Sequence, residues 1–311
     1  MSGSKKNNKG TVIWLVTDGK PGHQNQSEGL VQALASRIPL DVKRLPVLPF
    51  WKTLIGKLFH KNFVLKLFPS PDLVIGAGSG THKTLLLISW LFGAKSIVLM
   101  KPDLPRFLFD LCLIPSHDGV ESSKRVIVTR GVLNRLEAAE KKKINQGVIL
   151  IGGPSKHYQW DHKALVGQLQ KIFSAMPHIQ WVIADSRRTP GETKSALSSL
   201  VKENISYSPV ELTDKNWLPT MLSESTYCWV TEDSVSMVYE ALTAQNHVGL
   251  LPVRAFRENR IQQGVRKLVE EQYVTAYQDW LDSGELVGKS DFANEAQRCA
   301  DVIVKQYRLS Y

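Results

Sequence analysis

Cysteine is scarce in this chain of 311 residues, and its three cysteines, Cys112, Cys228 and Cys299, are far apart. An odd number without regular spacing excludes the disulfide framework that stabilises small secreted domains. It also excludes the paired spacing of a structural zinc site. These absences are typical of a protein from a reducing compartment.

Long hydrophobic runs are also missing. The longest, from Leu85 to Phe92, is interrupted by Ser89 and is far shorter than the roughly 20 residues of a membrane-spanning helix. Residues 1–10 are polar and basic, and the apolar segment after them, Thr11 to Thr17, does not resemble a signal peptide. We therefore expect a cytoplasmic protein.

The glycine-rich segment Gly76-Ala77-Gly78-Ser79-Gly80 lacks the features of three familiar loops. Thr81 stands where the third glycine of a dinucleotide fingerprint belongs, and no acidic residue follows near Met100, which argues against NAD or FAD. No Gly-Lys-Ser/Thr follows as in a Walker A loop, and Ser79 lies directly between glycines, unlike a nucleophile elbow. What remains is a tight loop whose backbone closely approaches a ligand or a packed helix.

Metal and triad signatures are missing as well. No set of histidine, cysteine and carboxylate residues has the spacing of a metal site, and no nucleophile, base and orienting residue form a recognisable triad. We therefore expect no metal and no bound cofactor.

The net charge of +10 is unevenly distributed. Residues 1–130 contain 18 lysines and arginines against 8 acidic residues, whereas residues 131–311 contain 21 of each. Together with a hydrophobic content of 43%, enough for a sizeable core, this asymmetry predicts two domains with different partners. A basic first domain can face nucleic acid, anionic lipid or an anionic small molecule, and composition alone leaves all three open.

Short apolar segments alternate with helical patterns, and most end in a polar or glycine-rich loop. The first half predicts strands at Thr11–Thr17, Leu40–Leu45, Asp72–Ile75, Ser96–Leu99, Leu111–Pro115 and Arg125–Val128. After a connection at 132–146, strands follow at Gly147–Ile151, Gln180–Ala184, Ile205–Tyr207, Tyr227–Val230 and Val248–Leu251. The predicted fold class is α/β, with two doubly wound domains facing each other across a cleft.

The segment from Val230 to Ala241 predicts a strand, a turn and a helix. Asp233 and Ser234 are good N-cap residues, and Asp233, Ser236 and Glu240 recur at helical spacing on one face. A helix start that carries hydroxyls at the carboxyl end of a strand is where phosphate-bearing ligands bind in open α/β sheets. A capped, half-buried helix without a ligand would show the same pattern.

Two further loops follow strands in the second half. Gly152-Gly153-Pro154-Ser155 could bring main-chain N–H groups close to an anion. Arg187 and Arg188, flanked by Ser186 and Thr189, can bind phosphate oxygens through two parallel hydrogen bonds. Taken singly, the first is an ordinary turn and the second a solvated surface.

In the first half, polar residues follow two predicted strands. Asp18, His23, Asn25 and Gln26 share one loop, and His117-Asp118 lies on another. A histidine or aspartate near a cleft can act as a general base toward a hydroxyl group, although a single histidine is more often a packing or surface residue.

The segment Trp51–Phe68 is both apolar and basic. Its apolar side could enter a membrane interface with Lys57 and Lys61 near anionic headgroups, or it could pack on the sheet with these lysines in water. The pattern favours neither alternative.

Five motifs follow one another along the chain: Asp18–His23 with Asn25-Gln26, Pro71–Gly78, Ile151–Lys156, Asp185–Pro190 and Thr231–Met237. Together they resemble the mitochondrial-fission Elm-like family, whose bacterial members are regarded as outer-core glycosyltransferases. The resemblance extends over roughly Val12 to Leu251. One departure is Gly78-Ser79-Gly80-Thr81, where an arginine-bearing loop is expected.

The resemblance implies a GT-B architecture of two Rossmann-like domains. Residues 1–134 would form a basic acceptor and membrane-facing domain, residues 135–290 a nucleotide-sugar donor domain, and residues 291–311 a helix that packs back on the first domain. It further implies that the helix start near Ser234 and Ser236 takes the diphosphate and that Glu240 takes the ribose hydroxyls.

The predicted site has three parts. The base would be Asp18 or His23, with Asp118 behind them. The predicted donor-binding residues are Gly152, Gly153, Ser155, Ser186, Arg187, Arg188, Glu232, Asp233, Ser234, Ser236, Met237 and Glu240. The predicted acceptor- or anion-binding residues are Lys20, Gly22, Asn25, Gln26, Gly78, Lys101 and His117.

These expectations combine into a metal-independent glycosyltransferase that needs no cofactor beyond its nucleotide-sugar co-substrate. Its acceptor would be a saccharide or glycolipid, such as a lipopolysaccharide core, with peripheral contact to the anionic inner face of the inner membrane and no nucleic-acid partner. The alternatives are a nucleotide-sugar epimerase or hydrolase of the same fold, and a non-catalytic membrane-associated adaptor.

Overall fold

The computed structural model describes residues 10–48, 68–139, 141–257, 260–286, 288–289 and 291–309, which form two compact units. Unit 1 contains the described residues of Met1–Arg135 and Asn294–Tyr311, and unit 2 those of Leu136–Ala293. The chain therefore leaves unit 1, builds unit 2 and returns to unit 1. Apart from Phe68, the segment Trp51–Phe68 lies outside the described residues.

Helices are numbered here along the described chain. They are α1 (Pro21–Ala35), α2 (His82–Phe92), α3 (His162–Ala175), α4 (Gly191–Ser198), α5 (Trp217–Glu224), α6 (Val235–Thr243), α7 (Arg260–Glu270), α8 (Tyr277–Ser283) and α9 (Glu295–Tyr307). None of these helices is long and apolar enough to cross a membrane.

The described part of unit 1 is built on a parallel sheet of six strands in the order β2-β1-β3-β4-β5-β6. The strands are β1 (Thr11–Thr17), β2 (Leu40–Pro46), β3 (Leu73–Ala77), β4 (Lys95–Leu99), β5 (Leu111–Pro115) and β6 (Val126–Thr129). Strands β3 and β5 are buried along their whole length, because helices cover both faces of a parallel sheet. Their uninterrupted apolar sequences are the consequence of this burial.

Helices α1 and α2 cover opposite faces of this sheet. Leu30 and Leu34 of α1 pack with Ile13, while Leu85 and Ile88 of α2 belong to the cluster on the other face. The connection through α1 leads outward from β1 to β2, and that through α2 leads in the opposite direction from β3 to β4. The topological switch point therefore lies between β1 and β3, where the crevice of an open α/β sheet holds ligands.

The final helix, α9, completes the core of unit 1. Its buried residues Ala296, Cys299, Ala300 and Ile303 join the cluster that contains Leu30 of α1. The side chain of Asn294 caps α9 by accepting a hydrogen bond from the Gln297 N–H at 3.1 Å.

The described part of unit 2 repeats the architecture, with a parallel sheet in the order β12-β11-β10-β7-β8-β9. The strands are β7 (Lys143–Leu150), β8 (Gln180–Ala184), β9 (Ile205–Ser208), β10 (Ser225–Thr231), β11 (His247–Leu251) and β12 (Val274–Ala276). Helices α3 and α8 share one face, where Leu169 and Trp280 pack in one cluster. The connections from β7 to β8 and from β10 to β11 diverge, so the switch point lies between β7 and β10.

The predicted α/β fold class with two parallel sheets is confirmed, with local differences. Helix α1 begins at Pro21 rather than at the predicted Asn25, because proline suits the first position of a helix. Strand β7 begins at Lys143, inside the predicted connection, because its polar start pairs with β10. The sequence did not predict β12 and α8.

Candidate functional site

The loops at the switch point of unit 2 form one hydrogen-bonded cluster. The loop after β7 carries Gly152 and Gly153, and the loop after β10 carries Asp233 and Ser234. Strands β7 and β10 are neighbours, with Leu150 opposite Val230, so these two loops emerge side by side. Arg188, from the loop after β8, completes the cluster.

Gly152 is the position at which the two loops come closest. An ideal Cβ built on this glycine would lie 2.2 Å from Asp233 Oδ2 and 2.4 Å from Ser234 Oγ. No side chain can occupy that space, so glycine at this position sets the distance between the loop after β7 and the start of α6.

Arg188 and Asp233 form the central ion pair. Arg188 Nη2 donates to Asp233 Oδ2 at 2.7 Å and to Ser234 Oγ at 3.0 Å, and its Nη1 donates to the Gly153 carbonyl at 2.8 Å. The Asp233 side chain is fully buried, and its Oδ1 has no hydrogen-bond partner among the described residues. Arg188 therefore compensates a buried carboxylate, which reduces the positive charge that it can offer to a ligand.

The backbone amides of the glycine loop are already occupied. The Gly152 N–H donates to Thr231 Oγ1 at 2.8 Å, and the Gly153 N–H donates to Asp233 Oδ2 at 3.0 Å. Binding of an anion by these two amides therefore stays a prediction, and it would require them to share or give up these hydrogen bonds. Ser234 is the N-cap residue of α6, but its hydroxyl makes no capping hydrogen bond. The Met237 and Val238 amides donate to the Ser234 carbonyl, which leaves the Val235 and Ser236 amides for another acceptor.

Two predicted donor residues at this edge are exposed. Arg187 and Ser236 have no side-chain hydrogen bond or ion pair with any described residue. They are therefore the side chains here that are free to bind a ligand.

The other predicted donor residues have internal contacts or lie further along. Ser186 Oγ donates to the Gly152 carbonyl at 3.1 Å, and Ser155 Oγ accepts from the His157 N–H at 3.2 Å. Met237 and Glu240 are half-buried on α6. Burial raises the pKa of the Cys228 thiol in β10, and the charge of the Glu240 carboxylate adds to this shift.

Glu232 faces the loop after β11 instead of the cluster. Its Oε2 accepts from the Val253 N–H at 3.4 Å, and burial raises the pKa of this carboxyl. Nearby, the hydroxyl of Tyr158 is buried and without a hydrogen-bond partner among the described residues. Burial and the charges of Glu232 and Asp233 raise the pKa of Tyr158 to about 12, so this phenol stays protonated.

Three residues that stabilise this site were absent from the predicted set: Thr231, Asp185 and Thr189. Thr189 Oγ1 donates to the Gly152 carbonyl, and Asp185 accepts from the Val210 N–H at 2.7 Å and the Tyr207 hydroxyl at 2.6 Å. Asp185 directly follows β8, Thr231 ends β10 and Thr189 lies in the loop after β8, and these positions at the carboxyl ends of buried strands are the signal that could have identified them.

At the switch point of unit 1, Asp18 and His23 form a pair. His23 Nδ1 lies 2.9 Å from Asp18 Oδ2, and the Lys20 N–H donates to Asp18 Oδ1 at 3.2 Å. Burial acts to raise the pKa of Asp18, but these hydrogen bonds outweigh it and lower the pKa below its usual value. Asp18 is therefore ionised and orients the imidazole, which leaves His23 Nε2 as the proton acceptor of the pair.

Gly78 accommodates the His23 ring. An ideal Cβ on Gly78 would lie 2.1 Å from His23 Cε1, and Gly78 has a φ of 79°, a conformation that favours glycine. Gly80 approaches the Asp18 side chain, since a Cβ there would lie 3.4 Å from Asp18 Cβ. The glycine-rich loop after β3 therefore packs against the Asp18–His23 pair.

Asp118, the third predicted base, lies apart from this pair. It follows β5, and the sheet order separates β5 from β1 by β3 and β4, which corresponds to about 14 Å at ~4.8 Å per strand. Lys101 accompanies Asp118 instead, because its Nζ donates to the Asp118 carbonyl at 3.2 Å. His117 lies in the same 3₁₀ turn, Ser116–Asp118.

The remaining predicted acceptor residues divide into exposed and internal ones. Lys20 is exposed and 3.9 Å from Asp18, and Gly22 lies on the first turn of α1 with open space around it. Asn25 Oδ1 accepts from Arg135 Nε at 3.1 Å. Gln26 is buried, because α1 turns it toward the core, and its role in binding stays a prediction.

Two parallel α/β units, each with polar loops at its switch point, define a fold of the GT-B type. Solved structures with this fold match almost the whole chain at low sequence identity. They include S. aureus MnaA with UDP (TM-score 0.56, 13% identity, 96% of this chain and 98% of that one). A UDP-GlcNAc 2-epimerase from Neisseria meningitidis bound to UDP-GlcNAc matches with a TM-score of 0.52 and 11% identity, over 96% of this chain and 100% of that one. The calicheamicin glycosyltransferase CalG4 matches with a TM-score of 0.51 and 11% identity, over 96% of this chain and 95% of that one.

Sequence comparison identifies the family, within this fold, to which the chain belongs. The chain belongs to the mitochondrial fission ELM1 family, which it matches over residues 21–307. A relative from Rickettsia prowazekii, the uncharacterized protein RP120, is 23% identical and covers 94% of this chain and 97% of its own.

Proposed function

We propose that the chain is a glycosyltransferase that moves a sugar from a nucleotide-sugar donor to a saccharide or glycolipid acceptor, without a metal. The observation that carries the proposal is the start of α6 at the switch point of unit 2. There, Arg188 binds Ser234 at the start of the helix, the N-terminal amides of the helix have no capping side chain, and the exposed Arg187 precedes Arg188 in the same loop. This combination suits the diphosphate of a nucleotide-sugar.

Within this site the residues take different roles. Arg187, Ser236 and the first amides of α6 bind the diphosphate, because they are free to do so. Arg188, Asp233 and Gly152 fix the geometry of the loops. Glu240, one turn after Ser236 on the same helical face, binds the ribose hydroxyls.

The acceptor is activated by unit 1. His23, oriented by the ionised Asp18, takes the proton from the acceptor hydroxyl as its oxygen bonds to the anomeric carbon of the sugar. The bond between this carbon and the diphosphate breaks, and the nucleoside diphosphate leaves with both electrons of that bond. The basic excess of the first 130 residues favours an anionic acceptor, such as a lipopolysaccharide core, at the cytoplasmic face of the membrane.

Calorimetric titration with a panel of nucleoside diphosphates tests the donor site. We expect at least one of them to bind, and Arg187→Ala to weaken that binding about tenfold, the worth of one charge-assisted hydrogen bond. Lys215→Ala, an exposed cation elsewhere in unit 2, serves as the control. Absence of binding by every nucleoside diphosphate would falsify the transferase proposal.

A nucleotide-sugar epimerase or hydrolase is the second candidate, favoured by the likeness to a UDP-GlcNAc 2-epimerase. It predicts turnover of the donor without an acceptor, whereas a transferase requires one. The third candidate, a non-catalytic membrane adaptor, predicts that Glu240→Ala changes neither nucleotide affinity nor activity in the cell.

A further inference from the structure

Unit 1 has a wide concavity that the proposed reaction does not use. It measures about 1150 Å³ and lies between the loop after β4 and the segment that leads into β6. Its lining includes Lys101, Arg106, Lys124 and Arg125 as basic residues and Glu121 as the acidic one. We call this surface, together with Phe107 and Leu108, the basic face.

The hydrogen bonds that the cations of the basic face donate go to neutral groups. Arg125 Nη1 donates to the Phe107 carbonyl at 2.5 Å, and Lys101 Nζ donates to the Asp118 carbonyl at 3.2 Å. These partners are neutral, and none of the four cations forms an ion pair with a residue that the structure describes. The surface therefore has a local excess of positive charge that needs an external counterion.

Two large apolar side chains stand beside these charges in solvent. Phe107 is 69% exposed and Leu108 43% exposed, both on the 3₁₀ turn Arg106–Leu108. The next residue, Phe109, is buried, and its ring lies 5.4 Å from that of His82. Because Phe109 and the hydrogen bond from Arg125 hold this turn on both sides, the exposure of Phe107 is imposed by the fold.

The size of the basic face and the exposure of its residues indicate which kind of ligand it binds. Pockets for small molecules measure about 300–1,000 Å³ and enclose most of their ligand. The basic face is larger, and all its lining residues except Val120 and Val126 are exposed. Cations around a protruding aromatic residue are the composition of an interfacial membrane contact, in which lysines and arginines meet headgroups and the apolar side chain enters the acyl boundary.

We propose that the basic face binds the surface of an anionic membrane, with Lys101, Arg106, Lys124 and Arg125 at lipid phosphates and Phe107 and Leu108 inserted below them. This binding is independent of nucleotide-sugar turnover and of the segment Trp51–Phe68. It would hold unit 1 at the surface where a glycolipid acceptor resides.

Vesicle sedimentation with the full chain tests the proposal. We expect binding to vesicles that contain phosphatidylglycerol, weaker binding to pure phosphatidylcholine, and a decline with added salt. Lys124→Glu should weaken binding at least about fivefold, since each basic residue near the surface contributes about 1 kcal/mol. Phe107→Ser should weaken it about tenfold, because it removes the inserted ring.

Matched controls lie on unit 2. Lys215→Glu removes an exposed cation, and Leu212→Ser removes an apolar side chain that is 83% exposed. Neither should change vesicle binding. Lys124→Ala is a second, milder variant, and the thermal midpoint of each variant verifies folding.

Equal binding to neutral and anionic vesicles would overturn the proposal. So would an equal loss of vesicle binding in the variants and their controls, or tighter binding to a single-stranded RNA oligonucleotide than to vesicles. Inorganic phosphate at millimolar concentration should not displace the vesicles; displacement would indicate a site for a free anion instead. Nucleoside diphosphate titration of Phe107→Ser should match the unaltered chain, so failure of this inference and failure of the transferase proposal remain distinguishable.

Discussion

The two units place polar loops at the same point of the same kind of sheet, yet the chemistry of these loops differs. In unit 1 the switch point holds an ionised aspartate and a histidine against glycine backbone. In unit 2 it holds an arginine that is tied to a buried aspartate. The first arrangement suits acceptance of a proton by an oriented imidazole, and the second suits a fixed anion-binding geometry.

The comparison shows that architecture alone does not determine the role of a site. Both sheets provide a crevice at the carboxyl ends of diverging strands, and only the side chains distinguish them. If the two switch points have separate roles, variants of one should leave the readout of the other unchanged.

Replacement of His23 should have the largest effect. His23→Gln removes the proton acceptor, so turnover with an acceptor should fall about 10²- to 10⁴-fold while nucleoside diphosphate affinity stays the same. His178→Gln, an exposed histidine of unit 2, is the control. A parallel loss of nucleotide affinity would show that the two sites do not have separate roles.

Replacement of Gly78, which lies against the His23 ring, should have the next largest effect. Gly78→Ala adds a Cβ that overlaps the His23 ring and also strains a positive φ, so the free energy of unfolding should fall by about 3 kcal/mol or more. Gly93→Ala shares the positive φ but meets open space and should cost about 1 kcal/mol. Urea denaturation measures both, and equal losses would exclude the contact with His23 as the cause.

The two arginines of unit 2 should differ in what they contribute. Arg188→Ala leaves Asp233 buried without its partner and should lower the free energy of unfolding by about 2 kcal/mol, a value reduced because Arg188 is partly exposed. Arg187→Ala should change it by less than about 0.5 kcal/mol. A larger loss of unfolding free energy for Arg187→Ala than for Arg188→Ala in denaturant unfolding would contradict these separate roles, in which Arg188 positions the loops and Arg187 binds the ligand.

The smallest expected effect is a pH dependence of the stability that comes from Asp18. Because the folded state lowers the pKa of Asp18, this carboxylate stabilises the fold above its unfolded pKa of about 3.9, and the contribution is lost as pH falls through the lowered pKa. The unaltered chain should therefore be more stable than Asp18→Asn at neutral pH, with the difference vanishing in acid. Thermal unfolding at a series of pH values measures it, with Asp103→Asn as a control on an exposed aspartate. A difference that persists unchanged in acid would contradict the assignment.

Much of the fold could be predicted because buried parallel strands have a simple sequence pattern. Buried strands such as Leu111–Pro115 and Gln180–Ala184 are short apolar runs that end in polar residues, and the structure has them at the predicted bounds. The strand Val274–Ala276 is only three residues long, so its pattern cannot be distinguished from a loop.

The candidate site was predicted less completely, because its geometry depends on pairing between distant strands. That Asp18 and His23 share a segment was visible in the sequence, but the approach of Gly78 to His23 depends on β3 lying beside β1. The distance of Asp118 from Asp18 and His23 could not be predicted for the same reason, since the sequences of individual strands do not reveal their order within a sheet. The pairing of Arg188 with Asp233 likewise joins loops 45 residues apart.

The return of α9 to unit 1 has a consequence for biosynthesis. Ala296, Cys299 and Ile303 belong to the same core as Ile13 and are translated after all of unit 2. Unit 2 can therefore fold on the ribosome while unit 1 still lacks one wall of its core. A released chain that ends before Asn294 should hold a protease-resistant second unit beside a first unit that proteases still cut, and the full chain should resist cleavage in both.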